Sequence, residues 1–224
     1  MPVNKEAFLS IEKELTDHQC QLVAVSKTKP LTDILELYEL GQRDFGENYV
    51  QELTEKQSQL PAGIHWHFIG HLQSNKVKFI APFVYLIHGV DSFKLLKEIN
   101  KQAQKVNRVI DCLLQVHIAQ EETKFGFDEA ELNDLFTNKK GELEAFTNIR
   151  VNGLMGMASF TDDTNKVRAE FHYLKSLSDK FVKLPIANSQ LSILSMGMSG
   201  DYKIAMEEGS NMVRIGSLLF GARN

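Results

Sequence analysis

A lysine at the end of an apolar strand is the first residue of this chain that could do covalent chemistry. Leu22 to Val25 is a run of β-formers, and Lys27 follows it just before a turn marked by Thr28 and Pro30. Alternation along a strand puts Val23, Val25 and Lys27 on one face. Since the two valines are apolar, that face is expected to be the core-facing one, where an ammonium group is costly to bury. An amine kept neutral by its surroundings avoids the cost and is the form that attacks a carbonyl to give a Schiff base. The competing reading is a lysine that lays its stem on apolar surface and carries its head into solvent.

Two stretches near the C-terminus suggest an anion site. Ser199-Gly200-Asp201 lies just before a predicted helix, where backbone N–H groups lack helical partners, and Ser199 adds a hydroxyl. Gly216 permits close backbone approach and Ser217 adds a second hydroxyl at the next helix start. The plainer alternative makes both serines N-caps and both glycines turn formers. Arg214 and Gly216 alternate on the last strand, so an arginine is expected beside these loops, unless it is the partner of a buried carboxylate. An amine, a phosphate cradle and an arginine together suit a phosphorylated aldehyde, of which pyridoxal 5′-phosphate is the common one.

Other candidates are weaker. His65 and His67 share a strand face and have metal-ligand types, but no third ligand at suitable spacing is evident, and packing beside Trp66 is the simpler reading. No metal site is therefore expected. Cys112, Met155, Met157, Met196 and Met198 read as packing, and Asn75 to Lys78 as solvated surface.

These residues need a scaffold that brings strand ends together. After an N-terminal helix over Asn4 to Asp17, about eight strands alternate with helical patterns. The strands are expected at Gln21–Lys27, Arg43–Glu47, Ile64–Gly70, Val84–Val90, Val109–Ile118, Ile149–Met157, Leu191–Met196 and from Met212 onward. Thr32 is expected to cap the helix Leu31–Leu40, Asp91 or Ser92 the helix Phe93–Val106, and Asp128 with Glu131 has capping-box spacing. Such alternation implies a parallel sheet, and eight units in 224 residues favour a closed (β/α)8 TIM barrel with an extra N-terminal helix. With no linker or composition shift, residues 1–224 read as a single domain. In such a barrel ligands bind at the strand C-termini, which here carry Lys27, Glu47, Asn48, Ser199, Arg214, Gly216 and Ser217.

Composition narrows the function. Lys and Arg number 25 against 29 Asp and Glu, a formal charge of −4, so no positive field favours nucleic acid. No segment has the length and apolarity of a membrane span, and the start lacks a secretory apolar run. The two cysteines, Cys20 and Cys112, lie far apart, as suits reduced thiols in a cytoplasmic protein.

The motifs Val23-Ala24-Val25-Ser26-Lys27-Thr28-Lys29-Pro30, Phe45-Gly46-Glu47-Asn48 and Trp66-His67-Phe68-Ile69-Gly70 resemble those of the pyridoxal phosphate homeostasis protein family. So do Leu194-Ser195-Met196-Gly197-Met198-Ser199 and Val213-Arg214-Ile215-Gly216. The resemblance runs nearly end to end. It implies a barrel like the N-terminal domain of alanine racemase, with pyridoxal 5′-phosphate held as a Schiff base on Lys27. It implies phosphate contacts from Ser199, Gly216 and Ser217, an arginine at Arg214 facing the pyridine nitrogen, and Asn48 lining the pocket. Ser217 stands where threonine is frequent, which keeps the hydroxyl.

The expected function is storage of the cofactor and its delivery to client enzymes that depend on it, without robust turnover. The alternative is a small amino-acid racemase, which needs acids or bases on both faces of the substrate. The racemase-type second domain is not expected here, because the chain ends at Asn224 directly after the barrel, and a monomer is the corresponding expectation. A third, weaker reading is a Schiff-base enzyme acting on a sugar phosphate.

Overall fold

The computed structural model describes residues 3–119, 125–184 and 190–221. Eight parallel strands close into a ring in sequence order: β1 Gln21–Val25, β2 Asp44–Glu47, β3 His65–Phe68, β4 Leu86–Val90, β5 Ile110–Gln115, β6 Ile149–Met155, β7 Ile193–Met198 and β8 Met212–Ile215. The ring is sealed by β1 against β8, with Val23 opposite Arg214. The expected TIM barrel is thus the observed one.

Helices wrap the ring: α1 Lys5–Asp17, α2 Leu31–Glu39, α3 Val50–Gln57, α4 Val77–Ile80, α5 Phe93–Lys105, α6 Glu129–Phe136, α7 Lys140–Glu144, α8 Thr164–Phe181, α9 Tyr202–Glu207 and α10 Ser217–Phe220. Local chemistry sets several of their starts. Asn4 caps α1 by accepting from the Ala7 N–H, and Ser92 caps α5 by accepting from that of Leu95. Asp128 and Glu131 form the expected capping box on α6. Thr32 does not cap α2: the N-cap is Pro30, whose fixed φ suits a helix start without a side-chain bond. The last strand is short, and residues 217–220 are helical because Gly216 turns the chain. β7 begins and ends two residues later than its apolar run suggests.

Strand alternation divides the core in two. Outward residues such as Leu22, Ala24, Phe45, Trp66, Phe68, Ile87, Leu114 and Leu194 pack under the helices in the larger apolar cluster. Val23, Leu86, Leu113, Met155 and Met212 form a smaller apolar cluster inside the barrel, as side-chain layers fill such barrels. The interior also holds His67, His88, Ser195 and Arg214, all buried.

Two glycines let the mouth close up. A Cβ on Gly70 would lie 2.3 Å from the Asn48 carbonyl oxygen, so the loops after β2 and β3 touch backbone to backbone. Gly197 has φ +96°, and a Cβ there would meet that of Ala205 at 2.6 Å, so α9 packs directly on β7.

Candidate functional site

β1 ends at Val25, and the turn after it carries Lys27, which is half-buried. Three side chains from outside the barrel hold that turn. The Ser26 hydroxyl donates to Glu47 Oε1 at 2.6 Å, and the Thr28 N–H donates to Glu52 Oε1 at 2.6 Å. Lys56 Nζ, on α3, donates to the Ser26 carbonyl (2.8 Å), Glu47 Oε1 (2.8 Å) and Glu52 Oε1 (2.6 Å). On the far side, Lys29 Nζ donates to the Phe220 carbonyl at 2.8 Å. Thr28 has φ +63°, a left-handed conformation rare for a β-branched residue, and the Glu52 bond helps fix it there. Lys27 therefore sits on a turn clamped between α3 and α10.

Glu47 and Phe45 share the outward face of β2, so Glu47 belongs to this clamp and not to the barrel mouth where its strand-end position suggests it lies. Burial pushes the Glu47 carboxyl above the usual carboxylate range, and Lys56 and Ser26 offset only part of that. Its Oε2 is buried with no hydrogen-bond partner.

The loops after β7 and β8 meet through one bond. The Gly216 N–H donates to Ser199 Oγ at 3.1 Å. A Cβ on Gly216 would lie 3.1 Å from the Val25 carbonyl oxygen, so the same point abuts the end of β1. Ser199 is not an N-cap; Asp201 occupies that position before α9. Ser217 is the exposed first residue of α10. Burial pushes the Asp201 carboxyl up, and the Met198 N–H and Arg214 offset part of it.

Arg214 is buried with its guanidinium inside the barrel. Nη1 donates to the Ser195 carbonyl (2.9 Å) and hydroxyl (2.7 Å) oxygens, and Nη2 to the Gly156 carbonyl (3.0 Å). Among the described residues no carboxylate forms an ion pair with it. Burial lowers its pKa to about 10, so it remains protonated at neutral pH.

Asn48 follows β2, and its Oδ1 is buried with no hydrogen-bond partner. It lines a cavity of about 380 Å³ at the strand C-termini, together with Gly70, His71, Gln115, Met157 and Met198. That volume suits a small organic ligand.

The structure thus places Lys27, Ser199, Gly216 and Ser217 after the ends of β1, β7 and β8, with Arg214 in β8 two residues before Gly216. Asn48 stands at the neighbouring strand end, since Val25 pairs with Gly46. His65 and His67 both hydrogen-bond Asp44, at 3.2 and 2.9 Å, at the opposite end of the barrel. Sequence reasoning missed Lys56, Ser195 and His88. A signal for the last two was present: each is a lone polar residue inside an apolar strand.

The chain matches the family described as alanine racemase, N-terminal domain, over residues 8–224. It is 43% identical over 204 residues to a pyridoxal phosphate homeostasis protein of Aquifex aeolicus, covering 91% of this chain and 87% of that one. It is 37% identical to the protein of the same name from Escherichia coli K12, covering 91% and 86%. The solved structure of PipY of Synechococcus elongatus with PLP bound superposes with a TM-score of 0.86 at 34% identity, covering 96% of this chain and 99% of that one. With such relatives over nearly its whole length, the chain belongs to the pyridoxal phosphate homeostasis proteins.

Proposed function

We propose that this protein binds pyridoxal 5′-phosphate covalently through Lys27 and serves the cell by holding and releasing that cofactor, not by turning over an amino acid. One observation carries the reading: Val25, the end of β1 two residues before Lys27, abuts the Ser199–Gly216 junction, so the amine-bearing turn and an anion cradle lie at neighbouring strand ends. The PLP-bound PipY neighbour and the relatives named for pyridoxal phosphate homeostasis support it.

The residues present fit the cofactor. When bound, it supplies an aldehyde that condenses reversibly with a primary amine. Lys27 offers that amine on a clamped turn. Ser199 Oγ accepts from Gly216, which leaves its own O–H to donate to a phosphate oxygen. At the start of α10, the Ser217 hydroxyl and the first N–H groups of the helix add donors. Arg214, always a donor, would face the pyridine nitrogen and keep it unprotonated, which weakens the ring as an electron sink. Asn48 Oδ1 offers an acceptor to the cofactor's hydroxyl or to a water beside it.

The residues of this barrel act in this reading as one cofactor-binding domain. The partners are the cofactor and the enzymes that take it up, the working form is a monomer and the compartment the cytoplasm. Among the described residues no helix is long and apolar enough to cross a membrane.

The test is reconstitution with pyridoxal 5′-phosphate, borohydride reduction and peptide mapping of the mass increase. The increase is expected on the peptide containing Lys27 and absent in Lys27→Ala. An unmodified Lys27, or a protein that stays colourless with added cofactor, would overturn the binding site. Sustained inversion of any L-amino acid in a chiral assay would favour the racemase reading over the carrier.

A further inference from the structure

The barrel interior carries a polar string that phosphate and amine chemistry do not require. Arg214 Nη1 donates to Ser195 Oγ at 2.7 Å. Ser195 Oγ is 3.2 Å from His88 Nδ1, His88 Nε2 is 2.9 Å from His67 Nδ1, and His67 Nε2 is 2.9 Å from Asp44 Oδ1. The string therefore runs from β8 through β7, β4 and β3 to the first residue of β2. It joins the barrel mouth to the barrel floor.

With neutral rings, its Asp44 end fixes its direction and its Arg214 end is compatible with it. A guanidinium only donates, so Ser195 Oγ is an acceptor there and keeps its own proton available to His88 Nδ1. His88 then carries its proton on Nε2 and donates to His67 Nδ1, and His67 donates from Nε2 to Asp44. A carboxylate only accepts, so Asp44 demands the same direction. Reversing the string would aim the bare Nε2 of a neutral His67 at a carboxylate. Burial pushes both histidines below their ordinary range, His88 well below, which favours neutral rings, and neutral rings in this string share one tautomer. The groups around the floor end are His65 and Gln21, which also bond Asp44, and Tyr85, whose ring lies 5.5 Å from that of His67.

We propose that His88 and His67 are positioning residues for Arg214. They hold the Ser195 hydroxyl in the rotamer that accepts from the guanidinium, and they link that buried cation, which has no direct carboxylate partner among the described residues, to the Asp44 carboxylate across the barrel. The functional half of this inference rests on the reading that Arg214 meets the ring nitrogen of pyridoxal 5′-phosphate. Hydrogen bonds aligned in one direction polarise one another, so removing an inner member weakens the grip on Arg214 without touching the cofactor.

Two measurements test it. In ¹⁵N-labelled protein without cofactor, long-range ¹H–¹⁵N spectra should show His67 and His88 as neutral Nε2–H tautomers, unchanged from pH 8 to pH 6. An Nδ1–H form of His88, or a cationic His67 at pH 7, would overturn the directed string. In cofactor-loaded protein, His88→Leu, which removes the acceptor facing Ser195, should weaken affinity for pyridoxal 5′-phosphate by up to roughly tenfold, the upper worth of one neutral hydrogen bond. It should also move the absorption band. His88→Asn, which keeps an acceptor there, should recover most of both. Unchanged affinity and band in His88→Leu would overturn the positioning role. A wild-type protein that takes up no cofactor would instead defeat the cofactor reading, and the spectra would still decide the string itself.

Discussion

Replacing Lys56 by methionine tests how the Lys27 turn is held. Lys56 is 5% exposed and Glu47 is fully buried. The methionine fills most of the lysine's volume but removes three donated hydrogen bonds, to Glu47, Glu52 and the Ser26 carbonyl. Breaking a buried ion pair by removing one partner costs about 3–5 kcal/mol, because the remaining charge is stranded. Glu52 is partly exposed and recovers solvation, so the cost falls mainly on Glu47. Glu47 has an escape in taking up a proton, since burial already holds its carboxyl above the ordinary range. A carboxyl whose folded pKa is raised contributes stability below its unfolded value, about 4.3, and loses it as pH rises through the folded value. Without Lys56 that loss grows. The gap between wild type and Lys56→Met is therefore expected to be about 3 kcal/mol at pH 8 and to narrow toward pH 5. Urea unfolding followed by the fluorescence of Trp66, the single tryptophan and a buried one, measures it. Adding Glu47→Gln should recover more than half of the loss, and Lys56→Met should also slow covalent capture of pyridoxal 5′-phosphate at Lys27. A gap under about 1 kcal/mol at pH 8, or one independent of pH, would refute the argument.

Gly70→Ala forces a Cβ to within 2.3 Å of the Asn48 carbonyl oxygen, so it should lower Tm and weaken cofactor affinity together; a change in Tm alone would detach Asn48 from the pocket. The lowered folded pKa values of His67 and His88 give stability that is complete above their unfolded value, about 6.5, and lost as pH falls below it. The stability advantage of wild type over His88→Asn should accordingly shrink from pH 7 to pH 5 in denaturant titrations. Ser199→Ala with Ser217→Ala should weaken pyridoxal 5′-phosphate binding in equilibrium titration while reduction still marks Lys27; unchanged affinity would mean the phosphate lies elsewhere. Lys27→Ala should lose the reducible link yet retain weaker, phosphate-held cofactor, seen as dialysable absorbance.

The barrel was legible because each strand is a short β-rich run followed by a turn and a helical pattern, and that alternation admits few topologies. Boundaries slipped where side chains were ambiguous. Leu191 extends the apolar run that becomes β7 but lies before the strand, and α7 went unseen because five residues containing Gly141 carry too little periodicity. At the site, Lys27, Ser199, Arg214 and Gly216 were visible as unusual residues at strand ends. The clamp was not, because Lys56 looks like one more polar residue on a polar helix and its burial depends on Glu47 arriving from β2. Glu47 itself was placed on the wrong side of the sheet, although its alternation with Phe45 carried the correction. The His67–His88 string was hidden for a similar reason: the two rings meet across separate strands, and only closure of the barrel brings Ser195 to them.

That closure has a consequence for biosynthesis. β1 pairs with β8, and the Asn4 N–H donates to the Leu219 carbonyl at 2.8 Å, so the first helix of the chain finds its seat on the last. A ribosome delivering the chain from its N-terminus leaves β1 with one unpaired flank until β8 has emerged. A chain cut before Met212, which lacks β8, should therefore be insoluble instead of slightly weakened.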